Sequence, residues 1–85
     1  MVLQSPQALH GISLDELPLG SRGTILDLTV DPDLRRQLYA LGILEGREIR
    51  VLRRAPLEGA LLVSVGPAQY ALGPEVAAHI LVTRG

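Results

Sequence analysis

The clearest local signal in the chain is DPDLRRQLYALG, residues 31–42. Asp31 is a favoured N-cap residue, Pro32 suits the first helical position, and Asp33 complements the positive end of the helix dipole. Gly42 can close the helix in the left-handed conformation. Between these ends, one apolar helical stripe is predicted by leucines spaced i, i+4 and i+7: Leu34, Leu38 and Leu41. The segment therefore predicts a helix of about ten residues that buries its leucine stripe.

Short strand patterns lie on both sides of this helix. Before it, residues 20–30 are rich in aliphatic and β-branched side chains, but their alternation changes phase, which a bulge near Leu26 or Asp27 would reconcile. After it, apolar residues alternate between glycine and proline turns. These later strands are expected at residues 47–55, 60–65, 69–72 and 80–83. Because the connections are too short for parallel crossovers, we expect a mainly β fold, a small barrel of about five strands with one inserted helix.

The two ends of the chain carry weaker signals. Ser13 and Glu16 have the spacing of a capping box over a short helical turn. Residues 1–11 show no periodicity, so we expect a flexible leader there and an ordered domain over residues 12–85. A secretory signal would need a basic start and about 7–15 apolar residues, and a membrane span about 20. The sequence has neither pattern, which favours a cytoplasmic protein that does not insert into a membrane.

The composition argues against several classes of function. The chain has 85 residues, no cysteine, and Tyr39 and Tyr70 as its two aromatic residues. Without cysteine there is no disulfide, thiolate metal site or cysteine nucleophile. There is also no phosphate-loop motif and no serine, histidine and aspartate arrangement with supporting motifs. We therefore predict a protein that is not an enzyme. Nucleic acid is a poor partner, because stacking platforms need aromatic side chains.

Charge is unevenly distributed along the chain, although the formal net charge is only −1. Residues 35–54 contain six arginines and two glutamates, a net +4. The remaining residues contain two arginines and seven acidic residues, a net −5. A solvated face with local ion pairs would account for this pattern. The functional alternative is a basic surface that docks an acidic partner.

Two further groups of residues leave alternatives open. Glu75 and His79 are spaced i, i+4 and could meet on one helical face, which makes them candidate metal ligands beside the carboxylates of Asp31 and Asp33. Capping and dipole roles explain the three acidic residues equally well. Four leucines fall out of phase or in turns, and could form a surface for self-association. They are Leu44, Leu52, Leu57 and Leu62.

Three stretches carry a longer pattern of leucine, glycine and proline at turns: LDELPLGSRGTILDL (residues 14–28), LRRQLYALGILEGREIRVLRRAPLEGALLVSV (34–65) and YALGPEVAAHILV (70–82). In this order they resemble the FeoA family, small accessory proteins of bacterial ferrous iron uptake. The resemblance implies an SH3-like β-barrel with inserted helices. It also implies a partner, the cytoplasmic GTP-binding (G) domain of the FeoB membrane transporter. Related SH3-like domains form the C-terminal part of iron-dependent repressors.

We therefore predict an accessory or regulatory protein that binds the G domain of a ferrous iron transporter. The expected contact surface combines arginines for electrostatic steering with apolar anchors. Its residues are Arg35, Arg36, Tyr39, Arg50 and Leu57. No cofactor is expected. One alternative is a metal-responsive domain that binds Fe(II) or another divalent ion weakly through Glu75, His79 or the carboxylates of Asp31 and Asp33. The other is a self-associating module that forms a homo-oligomer.

Overall fold

The computed structural model describes residues 11–56 and 59–84. The strands in this part of the chain are β1 (Gly11–Ser13), β2 (Arg22–Leu28), β3 (Glu48–Arg54), β4 (Leu61–Val65), β5 (Ala68–Leu72) and β6 (Ile80–Thr83). The helices are α1 (Pro32–Ala40), α2 (Pro74–Ala77) and a 3-10 turn at Leu14–Glu16.

The six described strands form one antiparallel sheet in the order β1-β6-β2-β3-β4-β5. The predicted mainly β fold with one longer helix is confirmed. The strand count is six rather than five, because Gly11–Ser13 pairs with the C-terminal strand and places Gly11 opposite Thr83. Gly11 therefore lies in the sheet, although the sequence assigned it to the leader. Within the described residues, β1 and β5 do not pair with each other, so backbone hydrogen bonds do not close the barrel.

The bulge predicted in the first long strand is present. Ile25 is opposite Val82 and Asp27 is opposite Leu81, so Leu26 is the extra residue. The extra residue lets Ile25 and Leu28 both face the core, where they are 1% and 0% exposed. The change of phase in the sequence therefore reflects a change of register in the sheet.

The core is aliphatic throughout the described residues. Its members come from every strand except β1, from α1, from α2 and from the connecting segments. They are Leu14, Leu17, Ile25, Leu28, Leu38, Ile43, Ile49, Val51, Leu61, Val63, Val65, Leu72, Ala77, Ile80 and Val82. No buried polar or charged residue is found among the described residues, so the core that the structure describes is held by apolar packing.

Helix α1 begins as predicted but ends one residue before the last leucine of its stripe. The Asp31 carboxylate accepts a hydrogen bond from the backbone N–H of Leu34 at 2.8 Å, and Gly42 has a φ of +89°. Leu38 is buried, whereas Leu41 is 42% exposed, so the prediction that Leu41 faces the core is wrong. The chain turns at Gly42, and Ile43 enters the core instead, with its N–H bonded to the carbonyl of Leu38 at 2.9 Å.

Candidate functional site

Three polar side chains connect α1 to the loop that follows it. The Arg35 guanidinium donates to one Glu45 carboxylate oxygen at 3.2 Å and to the carbonyl of Leu28, at the end of β2, at 2.6 Å. The Tyr39 hydroxyl donates to the other Glu45 oxygen at 2.6 Å. Glu45 therefore receives a hydrogen bond on each oxygen, which fixes the orientation of both partners. We call these three residues the Glu45 bridge.

The Glu45 bridge stabilises the charged form of its carboxylate. The hydrogen bond from Tyr39 lowers the pKa of Glu45 below its ordinary value of 4.5, and the residue's own backbone N–H and the charge of Arg35 act in the same direction. The side chains of Arg35 and Glu45 are each 36% exposed, so solvent screens their ion pair. Glu45 is therefore ionised at neutral pH, and the bridge acts mainly to position the side chains of Arg35 and Tyr39.

The exposed side of α1 carries a mixed basic and apolar surface. Arg36 is exposed and pairs with Asp33, one helical turn earlier. Tyr39 and Leu41 are 40% and 42% exposed, whereas most large apolar side chains that the structure describes are buried or half-buried. The Tyr70 hydroxyl donates to the carbonyl of Leu41 at 2.7 Å and holds the end of the helix on the sheet. Arg36 and Tyr39 lie one helical turn apart on the exposed side of α1, and Leu41 is exposed at the C-cap of the helix; we call these three residues the α1 surface.

The structure does not bring all five predicted contact residues together. Arg35 and Tyr39 meet through the Glu45 bridge, and Arg36 lies beside them on α1. Arg50 lies on β3, where it is opposite Arg22 and Ser64 on the neighbouring strands. Among the described residues, no hydrogen bond joins Arg50 to the α1 surface. Leu57 lies outside the described residues.

Sequence reasoning missed Leu41 and Glu45. Leu41 fits the apolar stripe as well as Leu38 does, and only the turn at Gly42 hints that it leaves the helix. Glu45 lies ten residues from Arg35 and six from Tyr39, spacings that no helical periodicity connects. Its role depends on the path of the loop between α1 and β3.

The predicted metal ligands lie near one another without forming a group of three. Asp31, Glu75 and His79 line a cavity of about 330 Å³ between α1 and α2. No group of three or more histidine, aspartate or glutamate residues placed to hold a metal ion occurs in the part of the chain that the structure describes. Asp31 already caps α1, and the Nδ1 of His79 lies 3.4 Å from the Thr29 hydroxyl. Asp31 and His79 therefore both have contacts within the protein.

The architecture first defines the class of protein: a small, mainly β, SH3-like domain with short helices between its strands. The FeoA domain model matches residues 12–84, nearly the whole of the described chain. The chain therefore belongs to the FeoA family, which is associated with ferrous iron transport. The family resemblance seen in the sequence is confirmed.

Solved structures of FeoA proteins have the same fold. The solution structure of FeoA from Chlorobium tepidum is 30% identical with a TM-score of 0.80, and the match covers 85% of this chain and 69% of that one. The crystal structure of FeoA from Stenotrophomonas maltophilia complexed with zinc, described as a prokaryotic SH3 domain protein, is 31% identical with a TM-score of 0.68. That match covers 87% of this chain and 99% of the other. No curated protein is significantly similar in sequence.

The same fold also occurs as part of a larger protein. A manganese-dependent transcriptional repressor is 27% identical with a TM-score of 0.80; the match covers 98% of this chain but only 44% of the repressor. The chain therefore corresponds to less than half of that repressor. None of the helices described in this protein is both long and apolar enough to cross a membrane.

Proposed function

We propose that this protein is a non-enzymatic accessory protein of ferrous iron uptake, and that it acts in the cytoplasm by binding the G domain of a FeoB-type transporter. Membership of the FeoA family supports the link to iron uptake. Membership of a family associated with transport also supports an accessory role rather than catalysis. The partner is inferred from the family resemblance and from the chemistry of the α1 surface.

The single observation that carries this proposal is the exposure of Tyr39 one helical turn from the exposed Arg36, with Leu41 also exposed at the end of the helix. Tyrosine and arginine are the side chains that most often contribute strongly to protein interfaces, and an exposed leucine adds apolar area. The hydrogen bond to Glu45 already holds the Tyr39 ring in place. Less side-chain entropy is therefore lost when a partner binds.

The predicted contact residues take different roles in this proposal. Arg36 and Tyr39 contact the partner, and Leu41 joins them as an apolar anchor. Arg35 is a positioning residue, because its guanidinium is already bonded to Glu45 and to the carbonyl of Leu28. Arg50 contributes long-range electrostatic steering from the sheet. The partner contact of Leu57 stays a prediction from the sequence.

The proposal is tested by titrating the purified G domain into the protein with GDP, with a GTP analogue and without nucleotide. We expect Leu41→Ala and Tyr39→Ala each to weaken binding by about tenfold, as for truncation of an interface anchor. Leu19→Ala is the matched control, because Leu19 is an exposed leucine (58%) on the loop before β2. Equal weakening by Leu41→Ala and Leu19→Ala would remove the α1 surface from the proposal. No binding at high micromolar concentration in any nucleotide state would remove the partner.

A second candidate function is weak binding of a divalent transition metal ion. The observation in its favour is that Glu75 and His79 line one cavity with Asp31. Anaerobic calorimetry with Fe(II) or Mn(II) tests it. A stoichiometric heat signal that is lost in His79→Ala supports this function, and a signal that the variant leaves unchanged contradicts it.

Sedimentation of the free protein over a range of concentrations tests self-association, which a monomer at every concentration excludes.

A further inference from the structure

A second charged surface lies on the outer face of the sheet. A cavity of about 330 Å³ is lined there by Arg22 on β2, Glu48 and Arg50 on β3, Ser64 on β4, and Gly66 in the turn after β4. The two arginines and Glu48 are exposed. This surface is separate from the α1 surface, and the proposed function gives its Arg50 a role in long-range steering but no direct contact with the partner.

The strand register places like charges directly beside each other. Arg22 is opposite Arg50 in the β2–β3 pair, and Arg50 is opposite Ser64 in the β3–β4 pair. Side chains at such positions are about 4.5–5.5 Å apart at Cβ, and like charges there destabilise the sheet. An anion between the two guanidinium groups would reverse that repulsion.

Glu48 neutralises this surface only in part. Its carboxylate lies 3.5 Å from the Nε of Arg22, and the two side chains are 61% and 63% exposed, so the pair is weak. The structure gives the guanidinium of Arg50 no hydrogen bond or ion pair with any described residue. A further positive charge lies at the rim, because the Arg47 guanidinium is 3.5 Å from the point that a Cβ on Gly66 would occupy.

We propose that Arg22, Arg50 and Ser64 form a binding site for a phosphate group. Arginine binds phosphate oxygens through two parallel N–H donors, and a serine hydroxyl can donate to a third oxygen. The three side chains come from three adjacent strands and converge on one cavity, which suits a ligand with oxygens in several directions. Inorganic phosphate and the phosphates of a nucleotide share this chemistry, and the two are separated by the experiment.

The test titrates inorganic phosphate, and separately GDP, into the free protein at constant ionic strength, and follows the backbone amide NMR signals of β2, β3 and β4. We expect saturable shifts centred on Arg50 and Ser64. Arg50→Gln should weaken binding by about tenfold or more, because a charge-assisted pair of hydrogen bonds is lost. Arg50→Lys should give an intermediate loss, because it keeps the charge but not the two-pronged donor.

Arg53→Gln is the matched control. It removes the same charge from the same strand, but Arg53 lines a different cavity beside Pro56 and Leu62. Equal weakening by Arg50→Gln and Arg53→Gln would mean that phosphate responds only to general charge, and would overturn the proposal. The absence of saturable shifts with both phosphate and GDP would also overturn it. A response to GDP alone assigns the site to a nucleotide.

Two further readouts separate a binding role from a structural one. Without phosphate, Arg50→Gln should unfold at the same temperature as the unsubstituted protein or a higher one, because the repulsion from Arg22 is removed. With phosphate, the unsubstituted protein should gain more thermal stability than Arg50→Gln does. Glu48→Gln should bind phosphate more tightly, because a competing carboxylate is removed. Destabilisation of the free protein by Arg50→Gln would contradict the inference.

Discussion

Leu38 and Leu41 offer a direct test of how α1 is held on the sheet. The two residues belong to the same predicted stripe, but Leu38 is 3% exposed and Leu41 is 42% exposed. Leu38→Ala removes a buried side chain and leaves a cavity, which should lower the free energy of unfolding by about 3 kcal/mol. Leu41→Ala changes a partly exposed side chain at the C-cap, and should change that free energy by about 0.5 kcal/mol.

These energies translate into clearly separated melting temperatures. For a domain of this size, each kcal/mol shifts Tm by roughly 4–8 °C, so Leu38→Ala should lower Tm by roughly 12–24 °C and Leu41→Ala by roughly 2–4 °C. Calorimetry or thermal circular dichroism at fixed pH measures both. Because alanine and leucine have similar helix propensities, the difference reports tertiary burial.

Two outcomes would refute this reasoning. Equal losses in Tm would mean that Leu41 packs as deeply as Leu38 and that the helix extends through the whole leucine stripe. A small loss for Leu38→Ala would mean that α1 is held mainly by the Glu45 bridge. Urea unfolding supplies the control, because an unchanged m-value shows that both variants expose the same surface on unfolding.

The remaining predictions concern the helix cap, the sheet and the Glu45 bridge. Asp31→Ala should lower the free energy of unfolding by about 1 kcal/mol through loss of the helix cap, measured by urea unfolding; no loss would contradict the capping role. Gly23→Ala should destabilise by about 1–3 kcal/mol, because its Cβ would lie 2.5 Å from the Thr83 carbonyl oxygen; a neutral result would mean that β2 and β6 separate easily. The pKa of Glu45 is lower in the folded protein than its ordinary value of 4.5, so its ionised carboxylate stabilises the fold above pH 4.5. That contribution is lost as the pH falls through the folded-state pKa. The difference in free energy of unfolding between the unsubstituted protein and Glu45→Gln should therefore shrink on acidification. Tyr39→Phe should reduce the pH dependence of the free energy of unfolding. If the unsubstituted protein and Glu45→Gln depend on pH in the same way, Glu45 does not form the bridge.

Local signals in the sequence were sufficient for much of the fold. The Asp31 cap, the turn at Gly42 and the bulge at Leu26 each depend on a few neighbouring residues, and the structure contains all three. The first strand was missed because Gly11–Ser13 is too short to show a periodicity and is held by pairing with β6 at the other end of the chain. The family pattern, carried by turn residues in a fixed order, was also readable from the sequence.

The candidate sites depended on contacts that the sequence does not encode locally. The sequence placed six arginines between residues 35 and 54, but it could not separate Arg35, which is bonded to Glu45, from Arg50, which faces Arg22 across the sheet.

By itself, the sequence determined an aliphatic core, a mainly β fold, a capped helix and membership of a family linked to ferrous iron transport. Only the tertiary structure decided which leucine is exposed and which charges meet. The physical reason is that caps, turns and alternation act over a few residues, whereas burial and charge pairing depend on the register between segments far apart in the chain.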